Sequence, residues 1–163
     1  MTRVGFWTVF ATAAMCAVMA LCAEALSKAA LGAEALAKAA ELAPAVVDPY
    51  LRVQTALAAD KIDTVKTDAA AIGAAAATLG DSAKPVVTAA KRLEAAANLG
   101  DARKAFGEVS DALFAYAKAT GASMPSGVKT AYCPMIDKSW LQKGDKIQNP
   151  YYGSGMLECG SFR

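Results

Sequence analysis

Four sulfur-bearing side chains near the C-terminus are the residues of this sequence best suited to chemistry. They fall in two pairs, Cys133-Pro134-Met135 and Met156-Leu157-Glu158-Cys159. In the second pair a spacing of three puts both sulfurs on one face of a helical turn. In the first, Pro134 stiffens the link between Cys133 and Met135. Asn149-Pro150-Tyr151-Tyr152-Gly153 reads as a tight turn that returns the second pair toward the first. Two thiolates and two thioethers form a soft donor set, which selects Cu(I) or Ag(I) over Mg²⁺, Ca²⁺ and Mn²⁺. Zinc suits the set less, because thioethers are poor zinc ligands and the chain has no histidine. Cys133, Met135, Met156 and Cys159 are therefore the candidate metal ligands. The same residues carry a second reading, a Cys133–Cys159 disulfide that staples the tail with Met135 and Met156 packed beside it. A disulfide removes the thiolates that a metal needs, so the two states exclude each other. Free or intermolecular thiols are the third reading.

Other chemistries are poorly served. The absence of histidine removes the commonest general base and any Ser-His or Cys-His pair. There is no phosphate-cradling glycine loop and no Cys-x-x-Cys redox pair. The 17 basic residues are balanced by 15 acidic ones and spread along the chain, which argues against a nucleic-acid surface. Asp60 and Asp63 read as helix caps, and Lys91-Arg92 and Arg103-Lys104 as solvated faces. The expectation is a protein that is not an enzyme.

The elements that must position the sulfurs begin with a targeting segment. Arg3 precedes an apolar run from Val4 to Ala23, and Ala23-Glu24-Ala25 is a small-x-small cleavage site, so residues 1–25 read as a signal peptide for export to the periplasm. The alternative is an uncleaved membrane anchor at residues 4–23, which would be the chain's one membrane contact. Leu21 before Cys22 and Met15 before Cys16 disfavour lipidation at either cysteine. Cleavage leaves Cys133 and Cys159 as the mature chain's two cysteines. Ala-Leu-x-Lys-Ala-Ala occurs at Ala25–Ala30 and again at Ala35–Ala40, and residues 26–45 read as a helical linker ending at Pro44.

Residues 46–163 form the domain. Asp48-Pro49 signals a helix start, with Tyr50, Val53 and Leu57 on one face. Ile62, Val65, Ala69, Ile72, Ala76 and Leu79 are spaced 3-4-3-4-3, a bundle seam that ends at Gly80. Val86, Ala90, Leu93 and Ala97 form the stripe of a third helix with Pro85 in its first turn. Asp101 caps a fourth, striped by Phe106, Val109, Leu113 and Tyr116 and ended by Gly121. Short loops between four amphipathic helices predict an all-α fold: an up-down-up-down antiparallel four-helix bundle. The turn-rich segment after Pro125, with Trp140, Tyr151 and Tyr152, is expected to pack on it as an irregular C-terminal tail.

The tail resembles a known family. Tyr132-Cys133-Pro134-Met135, Trp140-Leu141-Gln142-Lys143, Asn149-Pro150-Tyr151-Tyr152-Gly153 and Met156-Leu157-Glu158-Cys159-Gly160 follow its pattern in order, with Tyr50–Leu57 and Arg103–Leu113 upstream. It is a helical domain of unassigned activity, found alone in exported bacterial proteins and at the C-terminal end of some periplasmic adaptor subunits of copper/silver efflux pumps. The resemblance implies a helical bundle, a link to heavy-metal efflux or resistance, and adaptor or pump components as partners. Many relatives carry histidines near the helices. This chain has none, which leaves sulfur as its route to a metal.

Cleavage after Ala25 is the expected outcome of export. Mass spectrometry of the exported protein checks it, and an intact Met1 in the membrane fraction would establish the anchor instead.

Overall fold

The computed structural model of the chain describes residues 41–163. The signal segment 1–25, the anchor alternative at 4–23 and the linker up to residue 40 lie outside the described residues. Four helices come first: α1 (Pro44–Ala58), α2 (Val65–Ala77), α3 (Lys84–Glu94) and α4 (Leu99–Thr120). Three strands follow: β1 (Val128–Cys133), β2 (Lys138–Lys143) and β3 (Ser161–Phe162). The expected all-α bundle with an irregular tail is thus corrected to a mixed fold, four helices with a three-stranded antiparallel sheet.

The helices start and stop for local reasons. α1 begins at Pro44 rather than at Asp48-Pro49, and Pro49 lies inside it. Leu42, Val46 and Val47 are buried, so the apolar face runs one turn further back than the Asp-Pro signal. The seam on α2 buries Val65, Ala69, Ile72 and Ala76, with Ile62 and Leu79 half-buried at its ends. A methyl group on Gly73 would lie 3.6 Å from the Ala90 Cβ, so small residues let α2 and α3 approach closely. Pro85 sits in the first turn of α3, after a 3-10 turn at Asp81–Ala83. Asn98, not Asp101, caps α4: its side chain accepts from the Asp101 N–H at 2.9 Å and donates to the Asp101 carboxylate at 2.7 Å. Ala97 is exposed in the loop before it. Gly121, at φ 71°, ends α4 in the left-handed conformation.

Each helix packs on its sequence neighbour, and α1 also reaches α4. The sheet completes this arrangement, because β2 packs against both α1 and α4. β1 pairs antiparallel with β2 from Val128↔Lys143 to Cys133↔Lys138, and with β3 at Ala131↔Phe162 and Tyr132↔Ser161, giving the order β2-β1-β3. β2 is therefore an edge strand whose outward backbone groups need partners inside the protein. Two tyrosines supply them. The Leu141 N–H donates to the Tyr50 hydroxyl at 3.1 Å, and the Tyr151 hydroxyl donates to the Ser139 carbonyl at 2.7 Å.

The direction of the Tyr50 relay follows from proton counting. The Ser110 hydroxyl lies 2.7 Å from Tyr50 and 3.0 Å from the Phe106 carbonyl, which can only accept. The Ser110 proton goes to Phe106, so the Tyr50 proton goes to Ser110. Three elements are thereby linked through one buried phenol. Burial pushes the Tyr50 and Tyr151 phenols well above the ordinary tyrosine value, and both stay neutral. An aromatic series runs alongside: Tyr50–Phe106 at 4.8 Å, Phe106–Tyr151 at 5.9 Å and Trp140–Tyr151 edge-on at 5.8 Å between ring centroids.

Tyr50→Phe keeps the ring and leaves the Leu141 N–H buried without its acceptor. It is expected to cost about 1–3 kcal/mol in a urea titration, as a lower midpoint with unchanged slope. An unchanged midpoint would show that the hydroxyl does not hold β2.

Candidate functional site

The sheet brings the two cysteines together. Cys133 is the last residue of β1 and is fully buried. Cys159 stands two residues before β3 and is half-buried. Because β3 pairs with β1 at Ala131↔Phe162 and Tyr132↔Ser161, continuing that ladder sets Gly160 opposite Cys133 and Cys159 just beyond. The two Sγ atoms are 3.8 Å apart and both thiols are free. A disulfide bond is about 2.0 Å long, so this is a dithiol in van der Waals contact rather than a formed bridge. The Cys159 thiol is pushed up from its ordinary pKa, first by burial and then by the hydrogen bond and charge of Cys133. A raised pKa leaves little thiolate near neutral pH, the opposite of an activated redox cysteine.

The methionines are not buried with the pair. Met135, in the β1–β2 turn, is 64% exposed, and Met156 is 36% exposed. Met156-Leu157-Glu158-Cys159 does close as a single turn, the Cys159 N–H donating to the Met156 carbonyl at 3.0 Å, but it stands outside any helix. The preceding 3-10 turn covers Gly153–Gly155, and Met156 leaves it at φ −150°, ψ 53°. Among the described residues no group of three or more His, Cys, Asp and Glu side chains is arranged to hold a metal ion. The two methionines are not enclosed with the thiols, and the description of the domain as an all-helical bundle is corrected to a mixed fold of helices and sheet.

The other signature residues build the tail. The Gln142 amide oxygen accepts from the Trp140 indole N–H at 2.9 Å and from the Gln148 N–H at 3.1 Å, while its NH₂ donates to the Lys146 carbonyl at 2.7 Å. One side chain thus closes the 143–148 loop and satisfies a buried tryptophan. Asn149 does the same for the next loop. Its NH₂ donates to the Cys159 carbonyl at 2.7 Å, its oxygen accepts from the Tyr151 N–H at 2.8 Å, and its own N–H donates to the Leu157 carbonyl at 2.7 Å. Gly160, at φ 139°, has no room for a side chain: a Cβ would lie 2.8 Å from the Tyr132 carbonyl oxygen and 2.9 Å from the Trp140 ring.

Arg103 and Asp60, read from sequence as a solvated residue and a cap, are the clasp between tail and helices. The Arg103 guanidinium donates to the Pro150 carbonyl and the Leu57 carbonyl, each at 3.1 Å, and pairs with the Asp60 carboxylate. Asp60 also accepts from the Ser154 N–H at 3.1 Å. The Ser154 hydroxyl and then Arg103 hold the Asp60 carboxyl below its ordinary pKa. A depressed folded pKa makes this clasp fully present above the ordinary carboxylate range and lost as the pH falls through the lowered value. Tyr50 and Ser110 were likewise not singled out for their hydroxyls. The sequence signal for all four was weak: polar residues beside apolar stripes.

No protein-family model, curated protein or solved structure matches the chain.

Asn149→Ala removes partners from the Cys159 carbonyl and the Tyr151 N–H together. Expected are a stability loss of about 1–3 kcal/mol or more and faster hydrogen exchange at the Tyr151 amide. Parent-like exchange at Tyr151 would show that the turn is held by something else.

Proposed function

We propose that this chain is an exported structural or interaction module whose tail is closed by a Cys133–Cys159 disulfide once it reaches an oxidising compartment. The observation that carries the reading is the 3.8 Å separation of two free thiols inside an already assembled sheet. Secreted and periplasmic proteins form and keep such bridges. The exposed methionines support the same choice, since a soft-metal centre would turn them inward.

The interaction role rests on where the apolar surface lies. Met135, Ile136, Met156 and Leu157 are the exposed large hydrophobic residues among those described, and all belong to the tail. Two of them follow Cys133 and two precede Cys159, so one bridge would fix both loops. Immobilising the loops before they meet a partner reduces the ordering cost of association. By its motif resemblance the partner would be a component of a heavy-metal efflux assembly, such as an adaptor subunit.

The bridge would close a loop between residues 26 apart in sequence, which stabilises a fold by about 3–4 kcal/mol when native geometry is undistorted. The expected results are a Cys133–Cys159 cross-link in peptide maps of protein taken from the exported fraction, and a lower urea midpoint after reduction. Anaerobic Cu(I) titration of the reduced chain tests the competing assignment. Binding that outcompetes a moderate chelator and weakens in Met135→Leu/Met156→Leu would overturn the staple in favour of the four-sulfur site.

A further inference from the structure

The two thiols of the pair differ in access, and the difference assigns them different roles in forming the bridge. We infer that Cys159 is the thiol that attacks an external disulfide first, forming a mixed disulfide there, and that Cys133 is the resolving thiol. The inference rests on the staple reading of the same pair.

Cys133 ends the central strand of the sheet and is fully buried. An oxidant as large as R–S–S–R cannot reach its sulfur while the sheet is intact. Cys159 lies outside the strands, half-buried, after a segment in which Met156, Leu157 and Glu158 are exposed. Burial and Cys133 both raise the Cys159 pKa, so access rather than acidity makes it the point of reaction.

The exchange balances in two steps. The Cys159 thiol loses its proton to solvent, and its thiolate attacks one sulfur of R–S–S–R. A Cys159 Sγ–S–R bond forms, the R–S–S–R bond breaks, and RS⁻ leaves. The Cys133 thiol then loses its proton, and its thiolate attacks the Cys159 Sγ, expelling the second RS⁻. The net change is oxidation of two protein thiols to one disulfide and reduction of one R–S–S–R to two R–SH. The second step is intramolecular between sulfurs that already lie 3.8 Å apart, so its effective molarity is high. The mixed disulfide should not accumulate in the parent. The Asn149 side chain holds the Cys159 carbonyl and keeps the intermediate beside its partner.

The test treats the reduced full-length chain with glutathione disulfide under native conditions, quenches with acid, and maps the peptides carrying Cys133 and Cys159. Mapping keeps Cys16 and Cys22 out of the reading. The parent is expected to pass to the Cys133–Cys159 bridge without detectable adduct. Cys133→Ala should accumulate glutathione on Cys159. In Cys159→Ala, Cys133 should react at least about tenfold more slowly, with the difference vanishing in denaturant, where burial no longer protects it. Limiting maleimide on the reduced parent gives the same ranking without any substitution. Equal rates at the two cysteines, or faster labelling of Cys133, overturns the assignment. If the parent never forms the bridge yet Cys159 is still modified first, the staple and the resolving role of Cys133 both fail, and only the first attack by Cys159 stands.

Discussion

One buried phenol decides how this protein is assembled. Tyr50 belongs to α1, accepts the outward N–H of Leu141 on β2, and passes its own proton to Ser110 on α4. Each partner is itself buried, so none of these groups has water to fall back on. An orphaned amide or hydroxyl there costs more than a formed hydrogen bond returns, and the three elements are held in one relative placement by that asymmetry. Among the described residues no buried side-chain nitrogen or oxygen lacks a partner. The alanine-rich core, with small area per residue, leaves orientation to these polar contacts and to the aromatic series from Tyr50 through Phe106 and Tyr151 to Trp140.

From that placement the tail follows. β2, fixed to the helices, sets β1; β1 sets β3; and β3 delivers Cys159 to the end of β1, where Cys133 waits. Gln142, Asn149 and Arg103 close the intervening loops with bonds to backbone groups. The residues that look most like a functional signature in sequence are therefore mostly architecture. The two sulfurs lie 3.8 Å apart in a sheet that is already assembled with both thiols free, so the proposed bridge would add a cross-link without redirecting the chain.

The helices were readable because burial imposes the helical period on a sequence: the residues from Val65 to Ala76 on the α2 seam are buried at three- and four-residue steps. The strands were not. β2 buries Trp140, Leu141 and Gln142 in succession, since helices and the rest of the tail cover both of its faces, and the two-residue alternation that marks a half-exposed strand is lost. Its turn gives little warning either, with the left-handed backbone falling on Asp137 rather than on a glycine. At the candidate site the donor types were legible and their directions were not. Spacing grouped Met156 with Cys159 on one turn, which the chain forms as an isolated hydrogen-bonded turn, but nothing in residue identity distinguishes an inward thioether from the 64% exposed Met135.

The central claim is that the buried Tyr50 relay and the loop-closing amides assemble the tail, with the cysteines still reduced. Hydrogen exchange of the fully reduced chain, read amide by amide, tests this most directly. The account predicts strong protection at Leu141 and Tyr151 without any disulfide. Fast exchange across residues 128–160 in the reduced chain, with protection appearing only on oxidation, would contradict it.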